Sequence, residues 1–250
     1  MTTIPSVAAD RTGLAAARRL ARLQSPAGRI RLIDIASIRR DAASDRPVTA
    51  VRGAPAGIAA LLEPVDPRLG LVLRFDDPDV HDRGDGRRQR TARGWAVADI
   101  DRLGADAIWL TVWWHPEAVR AVRHGQEKFV EIVGHDAAHH QLPLIVAPAV
   151  DVRPAAGDST PERELAIERH VVGRFADPRF GADVIAVPCP APRVVAAAST
   201  DHLRQHFVQI DQLVDGRWIL STDDVSADTF AEVADIADGL GSIGVAGSVT

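Results

Sequence analysis

The chain has 250 residues, of which 46% are hydrophobic and 25% are charged, and its formal net charge is −5. This composition is typical of a globular protein with a large core, and the acidic balance argues against a nucleic-acid partner because phosphate recognition needs a basic surface. No run comes near the about 18 consecutive apolar residues that span a bilayer, and the N-terminus lacks the apolar segment of a signal peptide. We therefore expect a cytoplasmic protein with no membrane partner. Cys189 is the only cysteine, which excludes an intrachain disulfide and a zinc ribbon.

Short apolar runs alternate with longer amphipathic segments along the chain. Runs of this kind predict buried strands, here over residues 30–34, 48–52, 71–75, 107–114, 144–150, 183–188, 218–221 and 243–247. Between them the spacing predicts helices over residues 87–103, 116–138, 162–175, 194–213 and 226–240, the last with Ser226 as its N-cap. Strands that alternate with helices indicate parallel βαβ units, so we predict an α/β protein with one (β/α)8 TIM-barrel domain over residues 1–250. An open doubly wound sheet is the alternative, but no GxGxxG follows the first strand.

The two ends of the sequence depart from the usual barrel pattern. Residues 10–23 predict an extra amphipathic helix before the first strand, and Thr250 follows the eighth strand too closely for an eighth helix. We expect the extra helix, or a partner copy in a homo-oligomer, to cover the seam that the eighth helix would otherwise fill.

Barrels of this class carry their chemistry where the strands end and the βα loops begin. The strand ends place an acidic, partly aromatic set of side chains there. As catalytic candidates we take Asp34, Asp76, Asp77 and His115, and as ligand-binding candidates Arg74, Trp113, Trp114, Asp223 and Ser248. Arg52 also lies at a strand end and belongs to this set of positions, without an assigned role.

Three segments resemble the class I tagatose-bisphosphate aldolase family. They are RLGADAIWLTVWWHPE before and through strand four, ERELAIERHVVGRFADPRFGADVIAVPCP up to strand six, and RWILSTDDVSADTFAEVADIADGLGSIGVAG through strands seven and eight. The resemblance implies an aldolase-type TIM barrel. It also implies a lyase reaction in which a lysine on strand six forms a Schiff base with a ketose phosphate.

The residues that this reaction would need are replaced. The position that matches the Schiff-base lysine is Ala186, and the position that matches a glutamate on strand five falls near Ala147. Asp34 is the one catalytic-type residue that carries over from the resemblance, and a structural role in capping the first loop is equally open. The single lysine of the chain, Lys128, lies mid-helix in GQEKFVEIVG, where a solvated surface position is expected.

The predicted phosphate-binding loops are altered as well. The resemblance implies a glycine after strand seven and a Gly-Arg pair after strand eight, but the sequence has Asp223 and Asp224 in the first loop and Ser248 in the second. Each carboxylate would oppose a phosphate dianion by an amount on the order of 1 kcal/mol. We therefore expect an unphosphorylated ligand.

Two further groupings leave alternatives open. The segment FDDPDVHD, together with His115, could hold a divalent metal, although a solvated acidic loop is the simpler interpretation and we expect no cofactor. Trp113 and Trp114 could form an aromatic wall that stacks on a sugar, or they could pack in the core, as we expect for Trp109. His135, His139 and His140 predict a surface cluster at the amino-terminal end of the barrel, and Cys189 has no neighbour that would activate its thiol.

Three functional hypotheses remain at this stage. The first is a divergent aldolase-like protein that acts on or binds a small unphosphorylated carbonyl or sugar-like molecule. The second is a non-catalytic homologue with a regulatory or scaffold role. The third is an active aldolase that uses an unrecognised route, such as Lys128.

Overall fold

A closed barrel of eight parallel strands forms the centre of the molecule. The structure is a computed structural model that describes residues 13–35, 47–56, 58, 65–77, 81–82, 87–88, 94–150, 160–222 and 225–247. The strands are β1 (Ile30–Asp34), β2 (Ala50–Gly53), β3 (Gly70–Arg74), β4 (Ala107–Trp114), β5 (Leu144–Val150), β6 (Val184–Pro188), β7 (Trp218–Ser221) and β8 (Gly244–Ala246). Each strand pairs with the next along the chain, and β8 pairs with β1, so the sheet has no free edge. The predicted (β/α)8 barrel is confirmed.

Seven α-helices surround or underlie the barrel in the described part of the chain. They are α1 (Leu14–Arg22), α2 (Val97–Arg102), α3 (Arg120–His139), α4 (Pro161–Phe175), α5 (Pro192–Ala197), α6 (Thr200–Val214) and α7 (Ala227–Asp238), and a 3-10 turn follows α4 at Pro178–Phe180. Ser226 is the N-cap of α7, as predicted, and its hydroxyl accepts a hydrogen bond from the backbone N–H of Thr229. Among these helices, none has the length and apolar character needed to cross a membrane.

Three predicted helices have other boundaries. Within the helix predicted over 87–103, α2 begins only at Val97, because Gly94 has a positive φ of 78° and the Asp99 side chain caps the backbone N–H of Ala96. Arg87–Arg88 instead pairs antiparallel with His81–Asp82. The helix predicted from Pro116 begins at Arg120. The segment 194–213 is divided into α5 and α6, where Ser199 caps the start of α6.

The side chains of the barrel fall into two buried layers. Ile30, Leu32, Trp109 and Ile145 belong to a cluster inside the barrel, together with small residues on the other strands. A larger cluster lies between the strands and the surrounding helices. Successive residues of a strand alternate between these two layers, and this alternation decides which strand-end side chains enter the barrel mouth.

Helix α1 closes the amino-terminal end of the barrel. Leu23, directly after the helix, belongs to the interior cluster, and the Arg19 guanidinium donates to the carbonyl of Ala105 just before β4. Arg22 forms an ion pair with Asp106 at the same end. The expectation that this helix covers the seam beside β8 is therefore wrong, because its contacts lie under β3 and β4. The predicted lack of an eighth helix concerns residues 248–250, which lie outside the described residues.

Candidate active site

Strands β1 to β4 direct polar side chains into the carboxyl-terminal mouth of the barrel. Asp34 shares the inward face of β1 with Leu32, and Arg52 follows Ala50 on the inward face of β2. Arg74 has the same relation to Val72 on β3. On β4 the inward residues after Trp109 are Thr111 and Trp113.

A buried arginine and a partly exposed aspartate form the first ion pair of this mouth. Arg52 donates through Nε to Oδ1 of Asp34 at 3.1 Å and through Nη2 to Oδ2 at 2.8 Å. The Arg52 guanidinium also lies over the Trp109 indole, 4.3 Å from the ring centroid. The Arg52 side chain is 2% exposed and that of Asp34 is 31% exposed, so the carboxylate is the part of this pair that solvent or a ligand reaches.

A second carboxyl group lies deeper, just after β3. Asp76 accepts the backbone N–H of Thr111 at 2.9 Å through Oδ1 and Nη2 of Arg74 at 3.2 Å through Oδ2. Burial raises the pKa of the Asp76 carboxyl, and the positive charge of Arg74 and the Thr111 N–H offset this only in part. Trp109 donates its indole N–H to the Thr111 hydroxyl at 3.1 Å, which joins the two ion pairs into one network across β1 to β4.

The opposite half of the mouth is built from small side chains. Ala147 on β5, Ala186 on β6 and Ala246 on β8 belong to the interior cluster, and Ala186 is completely buried. On β7, Ser221 uses its hydroxyl to donate to the carbonyl of Val187. Among the described residues, the mouth is therefore asymmetric, with charged groups on β1 to β3 and uncharged side chains on β5 to β8.

Two predicted site residues are placed elsewhere or used locally. Trp114 lies on the helix-facing side of β4, stacked on His170 at 5.7 Å and edge-on to Phe175 at 6.2 Å, so the packing alternative is correct for this tryptophan. Its placement in an aromatic wall of the mouth is corrected accordingly. His115 accepts the backbone N–H of Glu117 through Nδ1 at 3.1 Å, which engages this ring nitrogen in the loop after β4.

Of the remaining predicted site residues, two are half-buried and two lie outside the described part of the chain. Trp113 and Asp77 are half-buried at the ends of β4 and β3. Asp223 and Ser248 lie outside the described residues, so the predicted loss of the phosphate-binding loops stays a prediction.

The candidate metal ligands do not form a site in the described part of the chain. There, no group of three His, Cys, Asp or Glu side chains is arranged to hold a metal ion. Asp79 and the side chains of His81 and Asp82 fall outside that description, so a divalent metal at this loop stays a prediction. His140 contacts Asp101 at 3.5 Å near the amino-terminal end of the barrel, in keeping with a surface cluster of histidines.

Lys128 and Cys189, the two remaining nucleophile candidates, are not suited to act as nucleophiles in the barrel mouth. Lys128 lies on the exposed face of α3 and pairs with Glu131 at 3.2 Å, as predicted for a surface lysine. Cys189 is buried, and burial, with a smaller effect of Glu168, raises the pKa of its thiol to about 12. The thiol is therefore protonated at neutral pH and unsuited to nucleophilic attack.

Arg52 is the main site residue that the sequence interpretation left without a role. The sequence did contain a pattern that predicts its position. Because side chains alternate along a strand, the arginine in the short run TAVRG points inward when Ala50 does. A buried arginine needs a counter-charge, and Asp34 is the inward residue directly opposite it in the parallel register of β1 and β2.

No family model matches the chain. Among curated proteins, tagatose 1,6-diphosphate aldolase 2 of Enterococcus faecalis is 24% identical over 189 residues, which is 71% of this chain and 57% of that protein. The chain thus spans somewhat more than half the length of this relative.

Solved aldolase structures share the fold at low sequence identity. A Schiff-base-forming fructose-1,6-bisphosphate aldolase superposes with a TM-score of 0.62 at 15% identity, over 93% of this chain and 92% of that one. A fructose-bisphosphate aldolase from Slackia heliotrinireducens gives a TM-score of 0.68 at 13% identity, over 99% of this chain and 83% of that one. The resemblance predicted from the sequence is confirmed: the chain is similar in sequence to a tagatose 1,6-diphosphate aldolase, and it has the TIM-barrel fold of solved aldolases.

Proposed function

We propose that this protein acts on a small, unphosphorylated carbonyl compound at the mouth of its barrel, by acid–base chemistry and without a Schiff base. The observation that carries the proposal is the pair of linked carboxylate–guanidinium contacts on β1 to β4, opposite a buried Ala186. Alanine cannot form an imine, whereas a carboxylate beside fixed cations can move a proton.

Asp34 is the proposed base. Its carboxylate is oriented by the two hydrogen bonds from Arg52 and is partly exposed, so it can meet a C–H group next to a substrate carbonyl. Removal of that proton places negative charge on the carbonyl oxygen, and a nearby guanidinium stabilises this charge most in a site with little water. Arg74, at the end of β3, is the guanidinium that we propose for this role.

Proton exchange tests this function directly. We would incubate the protein in D2O with unphosphorylated ketoses, aldoses and 2-oxo acids and follow the protons next to the carbonyl by NMR. We expect exchange above the buffer rate, no covalent adduct after borohydride treatment, and a loss of exchange of about 100-fold in Asp34→Asn.

The matched control is Asp66→Asn. Asp66 forms a similar but exposed contact with Arg68, at 2.7 Å, ahead of β3 at the other end of the barrel, so this variant should exchange like the wild type. Circular dichroism confirms that each variant is folded, and Asp34→Glu, which keeps the carboxylate, should retain part of the rate. If the wild-type protein exchanges none of these compounds, the proposal is refuted and a binding or scaffold role is favoured.

A further inference from the structure

Arg74 has hydrogen-bonding capacity that its own contacts leave unused. Its one hydrogen bond among the described residues goes from Nη2 to Asp76. Within the same residues its Nε is buried and has no acceptor. A guanidinium carries five N–H donors in a rigid plane, so most of this donor set is not used by the contacts of Arg74 within the described residues.

The two arginines of the mouth differ in how far a carboxylate offsets their charge. Arg52 gives both of its hydrogen bonds in this pair to Asp34, so these two charges offset each other. The second carboxyl group, Asp76, accepts one hydrogen bond from Arg74 at 3.2 Å, and burial raises the pKa of this carboxyl. Among these four described side chains, Arg74 is therefore the cation with the weaker counter-charge, which suits a ligand with a single negative charge.

The charge of the mouth favours one type of anion. A phosphate would bring close to two negative charges near Asp34, whereas a carboxylate brings one and pairs with a guanidinium in a planar, two-point contact. Among the interior residues of the other strands, Ala147, Ala186 and Ala246 are uncharged and do not oppose an anion.

We propose that the substrate is a small 2-oxo acid, whose carboxylate and adjacent keto oxygen are both held by the Arg74 guanidinium. This inference rests on the proposed function and specifies its substrate. Asp34 takes a proton from C3, the C2–C3 bond becomes double, and the electron pair of the keto group moves onto its oxygen beside Arg74. The proton, or a deuteron from solvent, then returns from Asp34 to C3, so the exchange consumes no other reactant.

The test compares three probes of similar size: pyruvate, its uncharged methyl ester, and dihydroxyacetone phosphate. Proton exchange in D2O is measured for each, with the buffer rate subtracted. We expect pyruvate to exchange at least about 10-fold faster than either of the other two probes. This factor corresponds to about 1.4 kcal/mol, the contribution expected of one charge-assisted contact.

Variants assign the preference to Arg74. In Arg74→Gln we expect pyruvate to lose its advantage over the methyl ester, and in Arg74→Lys we expect a partial advantage because the charge remains without the planar fork. The control is Arg68→Gln, which removes an exposed guanidinium away from the mouth and should keep the wild-type preference. Circular dichroism checks the fold of each variant, and the ratio of the two probe rates within one variant is independent of the folded fraction.

The outcomes separate the two proposals. Exchange of the ester or of the phosphate at the pyruvate rate, or a preference that survives in Arg74→Gln, would overturn the 2-oxo acid assignment and leave the acid–base function standing. If the protein exchanges neither the three probes nor any compound of the wider panel, both proposals are overturned.

Discussion

An alanine lies at the position where the resemblance implies a Schiff-base lysine. Ala186 is completely buried on the inward face of β6, in the same cluster as Trp109. Trp109, with the Arg52 guanidinium over its indole, belongs to this same interior cluster. The interior is therefore closely filled around Ala186 and leaves little room for a longer side chain.

We therefore expect that a lysine introduced at position 186 would destabilise the barrel and form no Schiff base. We expect Ala186→Lys to lower the free energy of unfolding by about 3 kcal/mol, because it overpacks the interior and places an ammonium group in it. Urea denaturation measures the change, and borohydride trapping with ketoses should give no adduct. The control, Ala196→Lys on the exposed face of α5, should change stability by less than about 0.5 kcal/mol. A stable variant that traps a ketose would contradict this account.

The Arg52–Asp34 contact gives a second prediction at this scale. Removing the carboxylate in Asp34→Asn leaves a buried guanidinium without its two charged hydrogen bonds, and we expect a loss of about 3 kcal/mol in the free energy of unfolding. Asp66→Asn, which breaks an exposed contact with Arg68, should cost much less, because water screens this ion pair. Equal losses measured by urea denaturation would show that burial of Arg52 has no energetic role.

Among the elements, strands were easier to predict from the sequence than helix ends. Four of the eight barrel strands begin and end where the apolar runs do, because buried parallel strands are apolar on both faces and stand out from their surroundings. The helix ends depend on local caps. The Asp99 cap that starts α2 and the Ser199 cap that divides α5 from α6 are single side-chain contacts, which a periodic pattern spanning many residues does not report.

Helix α1 acts on the barrel through the residue that follows it. Leu23 is fully buried in the interior cluster, and Leu14 at the other end of the helix is largely exposed. We expect Leu23→Ala to lower the free energy of unfolding by about 2 to 5 kcal/mol, and Leu14→Ala to have an effect below about 0.5 kcal/mol. Similar thermal denaturation midpoints for both variants would contradict the role of Leu23 in closing the barrel.

The start of β6 carries a pH-dependent contribution. Asp183 accepts the backbone N–H of Leu144 at 2.9 Å, and burial raises the pKa of its carboxyl from 3.8 to about 6, with Arg217 and this N–H offsetting the effect in part. The folded state therefore holds its proton more tightly than the unfolded state does. The associated stability is complete below pH 4 and is lost as the pH rises through about 6.

Asp183→Asn should remove this dependence, since the amide oxygen can accept the same N–H and does not titrate. Relative to the wild type, the variant should gain up to about 3 kcal/mol in its free energy of unfolding between pH 4 and pH 7. Urea denaturation at several pH values measures this, and the exposed Asp201→Asn variant serves as control. A stability difference that stays constant over this range would contradict the role of Asp183.

At the scale of the whole molecule, sequence predicted the architecture better than the site. Alternating strands and helices determine a barrel without any knowledge of distances, and the three motif segments point to the same fold. The site was only partly predictable. Asp34 and Arg74 follow from their strand-end positions, whereas the outward turn of Trp114 and the pairing of Arg52 depend on which face of each strand looks inward.

The closed barrel also predicts how the chain unfolds. Each strand depends on two neighbours, with β8 joined to β1, so opening one seam exposes the shared interior. We expect tryptophan fluorescence, which includes the buried Trp109 and Trp218, to change at the same urea concentration as far-UV circular dichroism. Two separated transitions would indicate that residues 1–250 do not behave as a single domain.

The recurring GAD sequence ties neighbouring strands together at the end of the barrel away from the mouth. Asp106 before β4 accepts the backbone N–H of Leu71, just as Asp183 before β6 accepts that of Leu144. Each carboxyl group thus connects the beginning of its own strand to the beginning of the strand before it. The stagger between these strands is therefore fixed at the amino-terminal end. Substitutions at the opposite rim can alter the chemistry of the mouth without changing the alignment of the sheet.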